Sequence, residues 1–158
     1  MPTSNTRPPK GFKKALAVGR PPNVVKLFPH SQALIVSGKF VDRAMRSKGG
    51  AIAMAANGRN LFVIRGVLRA AQKANAAVII EIAKSEGGAG AYCAVNFWNL
   101  AGLVDACCNQ MAITVPVAVH ADHYGIKNDA DVDAARTEIP SMFDAGITSI
   151  AIDASHMT

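Results

Sequence analysis

The chain has few aromatic residues, few cysteines and no long apolar run. Aromatic residues make up 6% of the 158 residues, and no run approaches the roughly 20 apolar residues that a membrane-spanning helix needs. The N-terminal segment also lacks the apolar core of a secretory signal. We therefore expect a cytoplasmic protein without a membrane partner. Half of the residues are nevertheless apolar, which is typical of a folded domain.

The three cysteines, Cys93, Cys107 and Cys108, do not have the spacing of a metal site or of a disulfide framework. Cys107 and Cys108 fall within a helically spaced apolar pattern, in which buried thiols act as small hydrophobic groups. The other members of this pattern are Phe97, Leu100, Ala101, Val104 and Met111. We therefore expect a structural role for these thiols and no redox role.

Acidic residues are almost absent from the first third of the chain. Met1–Lys48 holds ten Lys or Arg residues and a single acid, Asp42, whereas residues 49–158 hold seven bases and ten acids. Six of the eight prolines lie within residues 1–30. These features predict that residues 1–30 are a basic, proline-containing and poorly ordered extension, followed by one domain over residues 31–158. A transit peptide is an alternative. We expect no nucleic-acid partner, because no aromatic residues alternate with the bases and no recognition motif is present.

Beyond residue 30, strand-like and helix-like segments alternate with a repeat of roughly 30 residues, which predicts a parallel α/β sheet. Four predicted strands describe half of a closed (β/α)8 barrel, a fold that typically needs about 250 residues. We therefore predict that the chain is truncated. The predicted strands are 51–56, 77–83, 115–122 and 149–154; the predicted helices are 32–47, one that follows the N-cap Asn60 and buries Leu61, Ile64, Leu68 and Ala71, 97–111, and 129–145, the last interrupted near Pro140.

Polar or glycine-rich residues follow every predicted strand. Because the carboxyl ends of parallel strands share one rim, these residues are predicted to converge there. They are Asn57 and Asn60 after the first strand, Ser85, Gly87 and Gly88 after the second, His120, Asp122 and His123 at the third, and Asp153, Ser155 and His156 at the fourth.

The His-x-Asp-His motif at residues 120–123 is the most specific of these signals. Neutral imidazole is a favoured ligand of divalent metals, and a carboxylate beside it can bind metal or transfer protons. In a regular strand His120 and Asp122 share one face and His123 points away from it, so we expect Asp122 and His123 to have different roles. His120 is either a ligand or a hydrogen-bonded core histidine. The Ser-Glu-Gly-Gly segment at residues 85–88 is either a phosphate-binding turn or an ordinary tight turn.

The segment Val115–His123, Val-Pro-Val-Ala-Val-His-Ala-Asp-His, resembles a strand of the class II, metal-dependent fructose-bisphosphate aldolases. The similarity extends from Leu34 to His156 and implies the first four βα units of a TIM (β/α)8 barrel. Four further motifs contribute to it: Val36–Lys39, the Asn-x-x-Asn at residues 57–60, the Ser-x-Gly-Gly at residues 85–88, and Ile152–Ser155. The residue before Asn57, usually aromatic in this family, is Ala56.

The resemblance implies reversible aldol cleavage of fructose 1,6-bisphosphate to dihydroxyacetone phosphate and glyceraldehyde 3-phosphate, a reaction of glycolysis and gluconeogenesis. It implies that His123 binds a divalent metal, normally zinc, and that Asp122 is catalytic and exchanges a proton with the C4 oxygen. It further implies that Ser85 contacts substrate near a phosphate, that Asn57 orders the substrate or neighbouring loops, and that Asp153 serves a second or alternative metal site.

The resemblance also implies that two further histidine ligands lie beyond Thr158, that this chain alone can be inactive, and that the full-length protein is a homodimer acting on a sugar phosphate. Three alternatives stay open at this point. The chain could be a non-catalytic half-barrel remnant, an aldolase for a related ketose bisphosphate such as tagatose bisphosphate, or another metal-dependent barrel hydrolase or lyase.

Overall fold

A computed structural model describes residues 8–157 of the chain. Seven helices and four strands follow one another in these residues: α1 (Phe12–Gly19), α2 (Pro22–Leu27), α3 (Gly38–Lys48), β1 (Met54–Asn57), α4 (Leu61–Ala74), β2 (Val78–Ala83), α5 (Lys84–Gly87), α6 (Leu100–Met111), β3 (Val117–Gly125), α7 (Asp129–Asp144) and β4 (Ser149–Asp153).

The four strands form one parallel sheet in the order β1-β2-β3-β4. Parallel neighbours require a crossover connection, and each of the three crossovers here carries at least one helix. The predicted α/β architecture is therefore confirmed, as four parallel strands joined by three helical crossovers.

The main hydrophobic core lies between the sheet and helices α4, α6 and α7. Ile80 and Ile82 of β2 are buried against it, as are alternate residues of β3. The prediction for α4 is confirmed in most respects: the Asn60 side chain accepts a hydrogen bond from the Val63 N–H at 3.0 Å, and the core-facing residues are buried, whereas Leu61 is largely exposed. These core-facing residues are Ile64, Leu68 and Ala71.

Cys107 and Cys108 of α6 are buried and unpaired, as predicted. Burial raises the pKa of the Cys108 thiol to about 12, so the sulfur is protonated and unreactive at neutral pH.

Two predicted helices have different limits in the structure. Residues 31–37 are not helical, because Ile35 pairs with Val117 in a parallel bridge. Helix α3 begins only after Ser37, whose hydroxyl accepts a hydrogen bond from the Lys39 N–H. Helix α7 continues through Pro140 without the predicted interruption. Pro140 is exposed, so the carbonyl one turn earlier can be hydrated instead of hydrogen-bonded.

The face of the sheet opposite the main core is called the inner face. Helices α1 and α3 cover it near the amino ends of the strands, which is its lower end. A second buried cluster lies there, in which Phe12 of α1 and Val41 of α3 pack with Ala118 of β3. The remaining buried members of this cluster are Leu34 and Val36. Apolar side chains therefore close this face below the carboxyl ends of the strands.

The expectation of a poorly ordered extension differs from the structure over residues 8–30. Helix α2 buries Val24 in the main core, and the Asn23 amide donates hydrogen bonds to the carbonyls of Phe143 and Ile147. The prolines that suggested disorder mark helix boundaries instead: Pro22 is the first residue of α2, and Pro29 follows its end. Residues 1–7 of the predicted extension lie outside the described residues.

Within residues 8–157, the outer edges of β1 and β4 have no partner strand. A groove of about 380 Å³ runs along β1 and α4 and is almost entirely apolar. Large apolar side chains are exposed beside these edges, among them Ile52, Met54, Phe62 and Ile152. In the part of the chain that the structure describes, no helix has the length and apolar character needed to cross a membrane.

We predict that Phe12→Ala lowers the free energy of unfolding by about 3 kcal/mol, because it removes a buried aromatic ring from the cluster on the inner face. Urea unfolding followed by circular dichroism measures this loss. The matched control is Val18→Ala on the same helix, where the side chain is 69% exposed and the expected change is within about 0.5 kcal/mol. Equal stability of the two variants would show that α1 does not pack on the sheet.

Candidate metal centre at the carboxyl ends of the strands

A row of four polar side chains crosses the inner face of the sheet. The strand register aligns Asn57 of β1 with Glu81 of β2, Glu81 with His120 of β3, and His120 with Ser149 of β4. In β2 the alternate residues Val78, Ile80 and Ile82 face the main core, so period-two alternation puts Glu81 on the other face. The sheet therefore presents a polar surface just above the apolar cluster that α1 and α3 cover.

A one-residue bulge in β3 follows this row. Ala121 pairs with Ile150 and Tyr124 with Ile152, so three steps along β3 correspond to two steps along β4. His123 within the bulge has a left-handed backbone, with φ of 43°. A bulge bends its strand and redirects side chains, which is why bulges are frequent beside active sites.

The bulge reverses which face of the sheet the following residues occupy. Before it, Val117, Val119 and Ala121 face the main core; after it, Tyr124 does so and is fully buried. His123, which regular alternation would point toward this core, is instead 73% exposed at the rim.

The redirected His123 ring lies between two carboxylates. Its Nδ1 atom is 3.6 Å from Asp153 Oδ2, and its Nε2 atom is 4.0 Å from Asp122 Oδ2. The other oxygen of Asp122, Oδ1, lies 3.9 Å from His120 Nε2. The structure thus brings together four residues that the sequence singled out, and the Asp122 carboxylate separates the two imidazoles.

His120 is held by a hydrogen bond of 2.8 Å between its Nδ1 atom and the Ser149 hydroxyl. Burial lowers the pKa of His120, so the ring is neutral at pH 7 and presents one unprotonated nitrogen. Burial, with the nearby Asp122 carboxylate, raises the pKa of Glu81. Hydrogen bonds from the Ser155 hydroxyl and backbone N–H hold the pKa of Asp153 below its usual range, which keeps this carboxylate ionised.

Asn57 is fixed by a small network after β1. Its amide donates to Glu86 Oε2 at 2.5 Å, and its carbonyl oxygen accepts from the Arg59 backbone N–H at 3.0 Å. Arg59 also forms an ion pair with the other oxygen of Glu86 at 2.5 Å. The Asn60 side chain caps α4 and is therefore engaged in a structural role.

Ser85 lies in the one-turn helix α5 and is exposed. The glycines after it have a packing reason to lack side chains. A Cβ at Gly87 would lie 2.8 Å from the Ile82 side chain, and one at Gly88 would lie 2.6 Å from the Lys84 carbonyl. These contacts explain by packing alone why glycine occupies both positions.

Lys84 supports the bulge from the neighbouring strand. Its ammonium group donates to the Gly125 carbonyl at 2.8 Å, lies 4.3 Å from the centre of the Tyr124 ring and is 3.5 Å from an Asp131 carboxylate oxygen. The Tyr124 hydroxyl in turn donates to Glu138 at 2.6 Å. This arrangement fixes the chain immediately after His123.

Sequence reasoning missed Glu81, Ser149 and Glu86 as members of this site. Glu81 gave a signal that could have been used, because it is the one charged residue in the apolar segment 77–83. Ser149 and Glu86 gave none, since their contacts depend on strand register and on the path of α5.

The donor types at the rim fit a divalent metal ion in part. Imidazole and carboxylate groups are ordinary ligands of zinc and its neighbours, and His123 with Asp153 or Asp122 supplies both types. A catalytic zinc site usually has three protein ligands and one open position. The described residues therefore offer some of the donor groups that such a site requires, and His123 is more exposed than His120.

Comparisons with known proteins identify the family and relatives of this chain. The family model for "Fructose-bisphosphate aldolase class-II" matches residues 38–158. A fructose-bisphosphate aldolase of Staphylococcus aureus (strain Mu50) is 33% identical over 100 residues, and a probable fructose-bisphosphate aldolase of Bacillus subtilis (strain 168) is 34% identical over 100 residues. Each alignment covers 63% of this chain and 30% of the relative.

A crystal structure of fructose-bisphosphate aldolase from Campylobacter jejuni superimposes on this chain with a TM-score of 0.56 at 24% identity. It covers 80% of this chain and 39% of the other, which confirms a fragment of the barrel fold. The chain spans about 30% of the curated relatives it matches. The family match over residues 38–158 shows that the chain belongs to the class II fructose-bisphosphate aldolases.

Proposed function

We propose that this chain is the N-terminal part of an enzyme that reversibly cleaves fructose 1,6-bisphosphate to dihydroxyacetone phosphate and glyceraldehyde 3-phosphate. One observation carries the proposal: the bulge in β3 places the Asp122 carboxylate 4.0 Å from the exposed His123 imidazole, at the carboxyl ends of the strands. A proton-transfer group and a metal ligand side by side are what aldol cleavage needs. Family membership supports this assignment.

His123 is the proposed ligand of a zinc or other divalent ion, and Asp153 serves a second or alternative metal site. Such an ion supplies Lewis-acid polarisation of the carbonyl and hydroxyl oxygens of the ketose. The remaining ligands come from outside the described residues, in line with the share of the relatives that this chain spans.

Asp122 is the proposed catalytic acid–base group. In cleavage it accepts the proton of the C4 hydroxyl as the C3–C4 bond breaks, and in condensation it returns the proton to the aldehyde oxygen. Its side chain is 27% exposed, so it is reachable by substrate while still partly screened from water. The bulge holds the Asp122 carboxylate at the rim. A general base must lie within reach of the proton it accepts as well as have a suitable pKa.

Ser85 is the proposed contact near a substrate phosphate, and it is free to serve because it lies exposed on α5. Asn57 is proposed to order the substrate side of this rim through its network with Glu86 and Arg59. We further propose a cytoplasmic location and, for the longer protein, a homodimer.

We predict that Asp122→Asn lowers kcat for fructose 1,6-bisphosphate cleavage by roughly 100-fold or more and leaves the metal held through His123 in place, because it removes the proton acceptor and keeps the imidazole ligand. The unmodified protein and the variant are each purified from the source in the form in which the cell makes them. The rate of triose phosphate release and the metal content are then measured for both. Asp133→Asn on the exposed side of α7 is the matched control and retains full activity. Loss of all metal from Asp122→Asn, as complete as in His123→Ala, would contradict the division of roles.

We predict the opposite pattern for His123→Ala, which loses activity together with the metal that His123 holds, since it removes the imidazole ligand. Metal content by atomic emission and kcat by the same assay measure the two losses. Failure of the unmodified protein to cleave fructose 1,6-bisphosphate, tested beside tagatose 1,6-bisphosphate, would refute the proposed substrate or, if both are inert, the proposed activity.

A further inference from the structure

A second group of potential metal ligands lies deeper on the inner face than His123. One ligand atom from each of Glu81, His120 and Asp122 lies within 4.8 Å of the others, and all three side chains are partly buried. We propose that these residues form a divalent-cation site distinct from the His123 site and joined to it through the Asp122 carboxylate. The site itself is independent of the proposed aldolase activity, and only its effect on catalysis rests on that activity.

The three side chains are available for an ion. Among residues 8–157, neither the Glu81 nor the Asp122 carboxylate accepts a hydrogen bond, although each is partly buried. Burial raises the pKa of Glu81, and the two carboxylates lie close enough for the Asp122 charge to raise it further; a divalent cation would relieve this repulsion.

Ser149 orients the imidazole for coordination. When Nδ1 of His120 donates its proton to the Ser149 hydroxyl at 2.8 Å, the Nε2 lone pair is directed toward the carboxylates. Metal-binding histidines in proteins almost always have such a partner on their second nitrogen, because it fixes the tautomer and the ring orientation.

The spacing favours coordination over direct contact. His120 Nε2 and Asp122 Oδ1 are 3.9 Å apart, which is too long for a hydrogen bond. Ligands about 2.0–2.2 Å from one ion lie roughly 3–4.4 Å from each other, so an ion placed between these atoms reaches them with small side-chain adjustments.

The geometry of Asp122 links the two sites. Its Oδ1 faces His120 at 3.9 Å and its Oδ2 faces His123 at 4.0 Å, so each oxygen has its own imidazole neighbour. A carboxylate in this position can bridge two ions, as in two-metal sites.

The donor set selects the class of ion. One imidazole and two carboxylates suit zinc, manganese or ferrous iron, and partial exposure leaves room for water ligands. An ion bound there occupies Asp122, so an excess of divalent metal would inhibit the proton transfer assigned to this residue.

The test is a zinc titration of the 15N-labelled chain, with the imidazole nitrogens followed by two-bond 1H–15N correlation spectra. We expect the Nε2 resonance of His120 to shift on zinc addition, and to do so also in His123→Ala, where the other site is lost. Glu81→Gln is expected to weaken the zinc affinity reported by His120 by about 10-fold or more. The control Asp133→Asn, which removes an exposed carboxylate of α7 paired with Arg136, is expected to leave that affinity within twofold.

Two results would overturn the proposal: a His120 resonance that zinc does not move, and a Glu81→Gln chain whose His120 responds as the unmodified chain does. Backbone amide spectra of each variant show whether it is folded. Isosteric Glu81→Gln removes only charge, and Glu81→Asp, which keeps the carboxylate, serves as the second variant if the glutamine form unfolds. Because the readout is nitrogen coordination, its failure is separate from any failure of aldol cleavage.

Discussion

The one-residue bulge in β3 is the constraint on which the site depends. A regular strand would send His123 into the helical layer, where Phe97, Leu100 and Tyr124 are packed. The extra residue instead lets Tyr124 fill that position and puts His123 at the rim. The left-handed backbone at His123, unusual for a residue with a side chain, is the conformational cost of this arrangement. Lys84 and Glu138 hold the bulge by binding the residues just after it.

The two faces of the sheet differ in the polarity of their side chains because one forms the main core and the other carries the candidate site. The outer face is apolar along its whole length and packs against the helices, which provides most of the burial. The inner face is apolar only at its lower end, where α1 and α3 close it, and carries polar side chains toward the carboxyl ends of the strands. The row of polar side chains therefore lies directly above the apolar cluster that α1 and α3 cover. The geometry of the row depends on these N-terminal helices, although no residue of the row belongs to them.

Periodicity predicted the features that depend on burial alone. The four strands, the buried face of α4 and the buried thiols of α6 follow from apolar spacing, and the carboxyl-end placement of Asp122 and His123 follows from the parallel sheet. Register was not predictable, because nothing local in the sequence indicates that Glu81 lies between Asn57 and His120. The order within residues 8–30 was missed for a related reason: proline density suggests disorder until packing contacts show that the prolines begin and end helices.

The outer edges of β1 and β4 lie beside the candidate site, so a strand that extends the sheet also adds side chains to the site. Any strand that joins either edge in parallel must place its carboxyl end at the same rim as Asn57 and Asp153, and therefore delivers its last side chains beside His123. Edge pairing and the proposed metal coordination are then linked equilibria, in which each stabilises the other. A metal chelator would consequently weaken the association of any strand that pairs with these edges, in addition to its effect on the proposed chemistry.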